Sequence, residues 1–156
     1  MLILKIILLV IISSVLYGCD HKTATFDRLS ENLVKVGVMV IDSPKAVNTN
    51  LDFNIKVKVR NVGQIAIPSL GKDGQLLQVG VTYHWKSTDE QIIVWDGLVT
   101  SLESDIELDQ EQLVSMNIKA PERQGRYVLE IDLVQNSAFW FGAIGSQTAR
   151  IMIDVV

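Results

Sequence analysis

Between residues 51 and 60 the chain alternates without a fault: Leu51, Phe53, Ile55, Val57 and Val59 are apolar, and Asp52, Asn54, Lys56, Lys58 and Arg60 are polar. A period of two sends successive side chains to opposite faces, so this stretch predicts a strand with one face buried and one in water. Asn61-Val62-Gly63 follows, and asparagine and glycine tolerate the positive φ of a turn. The same reading extends along the chain. Leu33 to Ile41 predicts a first strand, and Val79, Val81, Tyr83 and Trp85 share a face opposite Thr82, His84 and Lys86. Ser87 to Glu90 reads as a hairpin loop into Gln91–Trp95, and Asp96-Gly97 as a turn into Leu98–Leu102. Val114, Met116 and Ile118 line another strand that Pro121 ends; Tyr127, Leu129, Ile131 and Leu133 face one way in the next, with Val128, Glu130, Asp132 and Val134 facing the other. Ala149, Ile151, Ile153 and Val155 close the chain.

No helix longer than a turn or two fits this pattern. About eight short, turn-punctuated strands predict an all-β fold, a single immunoglobulin-like antiparallel β-sandwich over residues 33–156. Gly125, two residues before Tyr127 at a strand start, resembles the tyrosine corner of sandwich folds, which implies that the Tyr127 hydroxyl bonds a nearby backbone group. Residues 19–32 are mostly polar and read as a tether, with Phe26 and Leu29 spaced to dock a turn onto the body.

The first eighteen residues break the pattern. They hold fourteen apolar residues and one charge, Lys5, and carry the parts of a secretory signal peptide: a basic start, an apolar run and a small residue before a cut. The whole chain is 48% apolar, but without this segment the share falls to about 44%, ordinary for a globular domain. Leu16-Tyr17-Gly18-Cys19 resembles the bacterial lipobox. That resemblance implies cleavage before Cys19, diacylglycerol on its sulfur, and a protein held on a membrane facing the periplasm; Asp20 resembles the inner-membrane retention signal of enteric lipoproteins. Two or more acyl chains anchor stably where one does not. Cys19 is the sole cysteine, so no intramolecular disulfide forms, and with two histidines it falls short of a zinc site built on Cys and His.

Beyond residue 18 there are 13 basic and 18 acidic residues and no basic run. Nucleic acid is therefore not an expected partner, and anionic headgroups offer the acidic body nothing. The oligomeric state is left open.

Candidate chemistry is sparse. His84 is the one histidine in the body, on the outward face between Tyr83 and Trp85, where a solvated or hydrogen-bonded ring is expected; no nucleophile elbow accompanies it. The acidic loop from Glu103 to Glu111 lacks the spaced ligands and glycine of an EF-hand and reads as solvated. Gly71 and Gly74 read as a turn rather than a phosphate loop. No catalytic residue, metal or cofactor is expected.

Aromatic residues are the stronger lead. Phe139-Trp140-Phe141 sits in a loop, Asn136 to Ser146, where three successive rings cannot all point inward. Trp140, Phe139, Phe141 and Trp85 are the candidate binding residues, for a glycan or an envelope protein; the alternative is that the loop closes the sandwich as an apolar lid. Tyr83-His84-Trp85, Val94-Trp95-Asp96-Gly97-Leu98-Val99-Thr100, Ala120-Pro121, Gly125-Arg126-Tyr127, Asp132-Leu133-Val134-Gln135 and Trp140-Phe141 together resemble an immunoglobulin-like accessory module found beside bacterial surface-glycan enzymes. The resemblance spans Val79 to Phe141 and implies a sandwich with a non-catalytic binding role. Phe53 to Gly63 is similar to cell-adhesion-type sandwich domains that end a strand in Asn-Val-Gly. A structural or assembly role in an envelope complex is the other function these features allow, followed by a polysaccharide hydrolase.

Overall fold

The computed structural model describes residues 28–69 and 78–156. The predicted signal segment, Cys19, Phe26 and the turn predicted at Gly71 and Gly74 lie outside the described residues. Among the described residues ten strands follow in order: β1 Val36–Asp42, β2 Ala46–Val47, β3 Asp52–Asn61, β4 Val79–Ser87, β5 Ile92–Val94, β6 Thr100–Ser101, β7 Glu111–Lys119, β8 Gly125–Gln135, β9 Phe139–Trp140 and β10 Ala149–Val155. They form two sheets packed face to face. One has the order β1-β3-β7; the other runs β2-β10-β8-β4-β5, with β6 beside β4 and β9 beside β8. The fold is an all-β, immunoglobulin-like sandwich, as the alternation predicts.

Alternation places the core. Ile55, Val57 and Val59 of β3, with Val114, Met116 and Ile118 of β7, face Val79, Val81, Tyr83 and Trp85 of β4 and Leu129, Ile131 and Leu133 of β8, and all are buried. Leu51 differs from expectation. It precedes β3, next to Asn50 at φ 60°, and is 56% exposed, so the apolar face begins at Phe53.

Three further departures come from pairing that no local pattern encodes. The predicted strands Gln91–Trp95 and Leu98–Leu102 shrink to the short β5 and β6, because the intervening turn folds back onto β4. Gly97 N–H donates to the Tyr83 carbonyl (3.0 Å), and a Cβ on Gly97 would lie 2.5 Å from that oxygen. Only glycine permits the approach. The segment β2, not expected, pairs in parallel with β10. Finally, β1 pairs with β3 through a bulge between Val40 and Asp42, and its other edge bonds Gln147, whose carbonyl accepts from Val38 N–H at 3.0 Å.

The tyrosine corner is present: Tyr127 Oη donates to the Arg123 carbonyl at 3.0 Å. Leu29 packs on the core, and its N–H donates to Gln135 Oε1 at 3.0 Å, so the chain joins the body where β8 ends.

Candidate binding site

The strands β4 and β8 lie in the middle of their sheet, paired over nine residues, with His84 opposite Glu130 and Thr82 opposite Asp132. On the face away from the core this register gathers Thr82, His84, Lys86, Glu130 and Asp132. Such a polar row would normally be solvated, yet Thr82, His84 and Asp132 are buried. Two tryptophans from separate segments cover them. Trp95, just after β5, stacks on the His84 ring (4.3 Å between centroids, 19° between planes). Trp140 of β9 meets the same ring edge-on at 4.7 Å, and the two indoles meet at 5.7 Å and 67°. His84 Nδ1 donates to the Trp95 carbonyl, which fixes the ring and holds the turn above it.

Beside this trio lies a recess of about 250 Å³ between Trp140 and Thr148, floored by His84, Lys86, Glu130 and Asp132. Glu130 is held on both oxygens, by Lys86 Nζ and by Thr148 Oγ1 (3.0 Å). Burial opposes its charge, but those two hydrogen bonds and the Lys86 and Arg150 charges outweigh burial, leaving the carboxyl below its ordinary pKa. Asp132 goes the other way. Burial raises its pKa, and hydrogen bonds from the Leu133 and Gly142 N–H groups and the nearby His84 only partly offset this.

Asp132 has a structural task that explains its burial. Pairing of β10 with β8 ends at Ala149 and Ile131, leaving the Leu133 N–H on that side without a strand partner. Asp132 Oδ1 accepts it at 2.7 Å, and also accepts Gly142 N–H at 2.9 Å, while Oδ2 lies 3.1 Å from the same N–H. A Cβ on Gly142 would sit 2.8 Å from both Oδ2 and Thr148 Cγ2, so any larger residue would displace these side chains. The carboxylate thus pins the loop carrying Trp140 to the sheet.

The four aromatic candidates divide. Trp140 and Phe139 are half-buried; Phe139 carries the Arg28 guanidinium 5.4 Å above its ring. The expectation that Trp85 and Phe141 present a binding surface is corrected, since both are 0% exposed. Trp85 obeys the alternation of β4 and lies in the core against Tyr127, with Nε1 donating to the Lys119 carbonyl at 2.9 Å. Phe141 turns inward because its N–H continues the ladder onto the Leu133 carbonyl (2.9 Å). The loop therefore serves as lid through Phe141 and as surface through Trp140. His84 is on the outward side of its strand, covered rather than solvated, and hydrogen-bonded as one of the two expectations had it.

Trp95, at 42% exposure, belongs beside Trp140, although its strand position alone gave no sign of it. Its place depends on the Asp96-Gly97 turn. On the other side of the Asp96-Gly97 turn a larger groove, about 870 Å³, runs between Ile92, Ile93 and Leu98 on one side and Lys119 to Arg123 on the other. In the acidic loop, Asp105 accepts from Ser69 N–H (2.9 Å), and Glu111 pairs with Lys58 (2.8 Å). Among the described residues no three His, Cys, Asp or Glu side chains gather as metal ligands.

No family model and no curated protein matches the chain. Solved structures do show similarity. The CARDB domain of a Pyrococcus furiosus protein, determined in complex with di-metal ions, aligns at 17% identity and TM-score 0.48, covering 85% of this chain and 97% of that one. The sporulation control protein Spo0M of Bacillus subtilis aligns at 12% identity and TM-score 0.47, covering 79% of this chain and 49% of its own. A β-glucosidase of Listeria innocua aligns at 12% identity and TM-score 0.45 over 78% of this chain and 16% of the enzyme.

Proposed function

We propose that this chain is a non-catalytic binding domain of the bacterial envelope, tethered through lipidated Cys19, that holds a glycan against Trp95 and Trp140. The observation that carries this reading is a pair of partly exposed indoles at an angle over a recess of fixed polar groups. Sugar rings present C–H faces that stack on indole and hydroxyls that need donors and acceptors, and the Lys86–Glu130–Thr148 cluster supplies both. A binding role is favoured over hydrolysis because neither carboxylate is poised: Glu130 is tied on both oxygens, and Asp132 faces backbone N–H groups.

Arg28 lies nine positions after Cys19, at most about 30 Å of extended chain. The body joins that tether beside Gln135, one residue from the pairing of Val134 with Trp140, so the site lies toward the anchored end. Asp20 favours the inner membrane.

Affinity electrophoresis in gels containing envelope polysaccharides tests the glycan reading. We expect retardation of the wild-type protein, weakened about tenfold by Trp95→Ala or Trp140→Ala, which corresponds to about 1.4 kcal/mol for a lost stacking ring. Equal mobility in every polysaccharide, together with a protein partner recovered by crosslinking, would instead support an assembly subunit. The exposed Ile92, Ile93 and Leu98 along the larger groove are the observation favouring that second reading.

A further inference from the structure

The edges of the two sheets are not equally protected. The outer side of β1 is bonded to Gln147, β2 has two residues, and β5 has three. The remaining edge is β7, nine residues from Glu111 to Lys119, with no proline and no bulge in its pairing with β3. An edge of that length is a ready template for another strand.

The direction of its free groups follows from the ladder. Ala120 N–H donates to the Leu51 carbonyl at 2.9 Å, in register with the β3–β7 pairing, so the even-numbered residues of β7 bond β3 and the odd-numbered ones point outward. The outward groups of Lys119 are already engaged: its N–H donates to Tyr83 Oη (3.1 Å), and its carbonyl accepts from Trp85 Nε1. Those of Leu113, Ser115 and Asn117 make no hydrogen bond within the described residues, and Leu113 is 61% exposed.

The sequence of this edge is complementary to itself. Laid antiparallel on a second copy about a two-fold axis at Ser115, it places Glu111 opposite Lys119 at both ends, Leu113 opposite Asn117, and Ser115 opposite Ser115. The same register brings outward-pointing residues together as hydrogen-bonded pairs, giving about six new backbone bonds from Leu113, Ser115 and Asn117. A one-pair slip in either direction loses the charge match.

We propose that β7 is a homodimer interface, pairing with β7 of a second copy about a two-fold axis at Ser115 so that two three-stranded sheets become one six-stranded sheet. The interface is isologous, so each charge pair occurs twice and any change at one position is felt twice. Glu111 keeps Lys58 as its neighbour and gains the opposing Lys119.

Sedimentation equilibrium of the full chain in density-matched detergent, at concentrations up to roughly 500 μM, tests this. Wild type is expected to show concentration-dependent dimer. Glu111→Lys and Lys119→Glu should each weaken dimerisation about tenfold or more, since each homodimer then sets like charges opposite one another. An equimolar mixture of the two should recover wild-type association, because the heterodimer restores both pairs. Ser115→Pro, which removes an outward N–H and spares the β3 ladder, should also weaken association; the charge variants carry the test if it fails to fold. A monomeric wild type across the range, a dimer indifferent to the charge changes, or a mixture no stronger than its components would overturn the proposal.

Discussion

Replacing Asp132 tests how the binding surface is held in place. Asp132→Ala removes the acceptor of the Gly142 and Leu133 N–H groups, which lie under Trp140 and away from other partners. A buried donor left without an acceptor costs about 1–3 kcal/mol. Two are exposed by the change, but the variant also discards a carboxylate whose charge burial opposes, so the net loss should be about 1–3 kcal/mol rather than twice that. Urea denaturation at pH 7 should show a lower midpoint with unchanged slope. The dependence on pH has a definite sign. Asp132 has a folded pKa above its ordinary 3.8, so the folded state holds its proton more tightly than the unfolded state. Wild type therefore gains stability from this group as pH falls through the folded value, and the gain is complete below 3.8. Asp132→Asn does not titrate, so the stability of wild type relative to it should rise on acidification. An Asp132→Ala midpoint equal to wild type, or a wild-type stability that falls relative to Asp132→Asn toward low pH, would refute the reasoning.

Four other outcomes follow from the same geometry. Tyr127→Phe should lose about 1 kcal/mol, the hydrogen bond to Arg123, measured as a shift in denaturation midpoint. Phe141→Ala should cost about 3–5 kcal/mol by emptying a fully buried ring site, whereas Trp140→Ala, at a partly exposed ring, should cost less while altering Trp95 fluorescence. Glu130 sits below its ordinary pKa, so its stabilisation is present above the unfolded value and lost as pH falls through the folded one; Glu130→Gln should flatten that acid limb of the stability profile.

The strands that make the core were legible because their signal is local. In β3, β7 and β8 each apolar residue lies two positions from the next, and that spacing alone assigns the inner face. Tyr127 was legible for a similar reason, since Gly125 two residues away carried the corner. Trp85 shows how local signals can be set aside: its place beside Val79, Val81 and Tyr83 already assigned it to the core, and only its residue type suggested a binding role. The edges of the second sheet were less readable. Pairing of β2 with β10, and the shortening of β5 and β6, depend on contacts between segments distant in sequence.

The site itself was half visible, and the missing half has a physical cause. Alternation placed Glu130 and Asp132 on the outer face of β8 and His84 and Lys86 on that of β4, but it could not indicate that this face is covered. Covering requires Trp95 and Trp140, which lie 45 residues apart and meet only because Gly97 can approach the Tyr83 carbonyl and Gly142 the Asp132 carboxylate. Each glycine reads locally as a turn. Their joint effect is to bring two indoles over one histidine, turning a row of solvated side chains into a shielded polar floor with aromatic walls. A polar face that the fold buries must have every group satisfied, and here no buried side-chain nitrogen or oxygen among the described residues lacks a partner. That complete internal satisfaction makes the floor rigid, and it confines any ligand to the indole faces and the rim at Lys86 and Thr148.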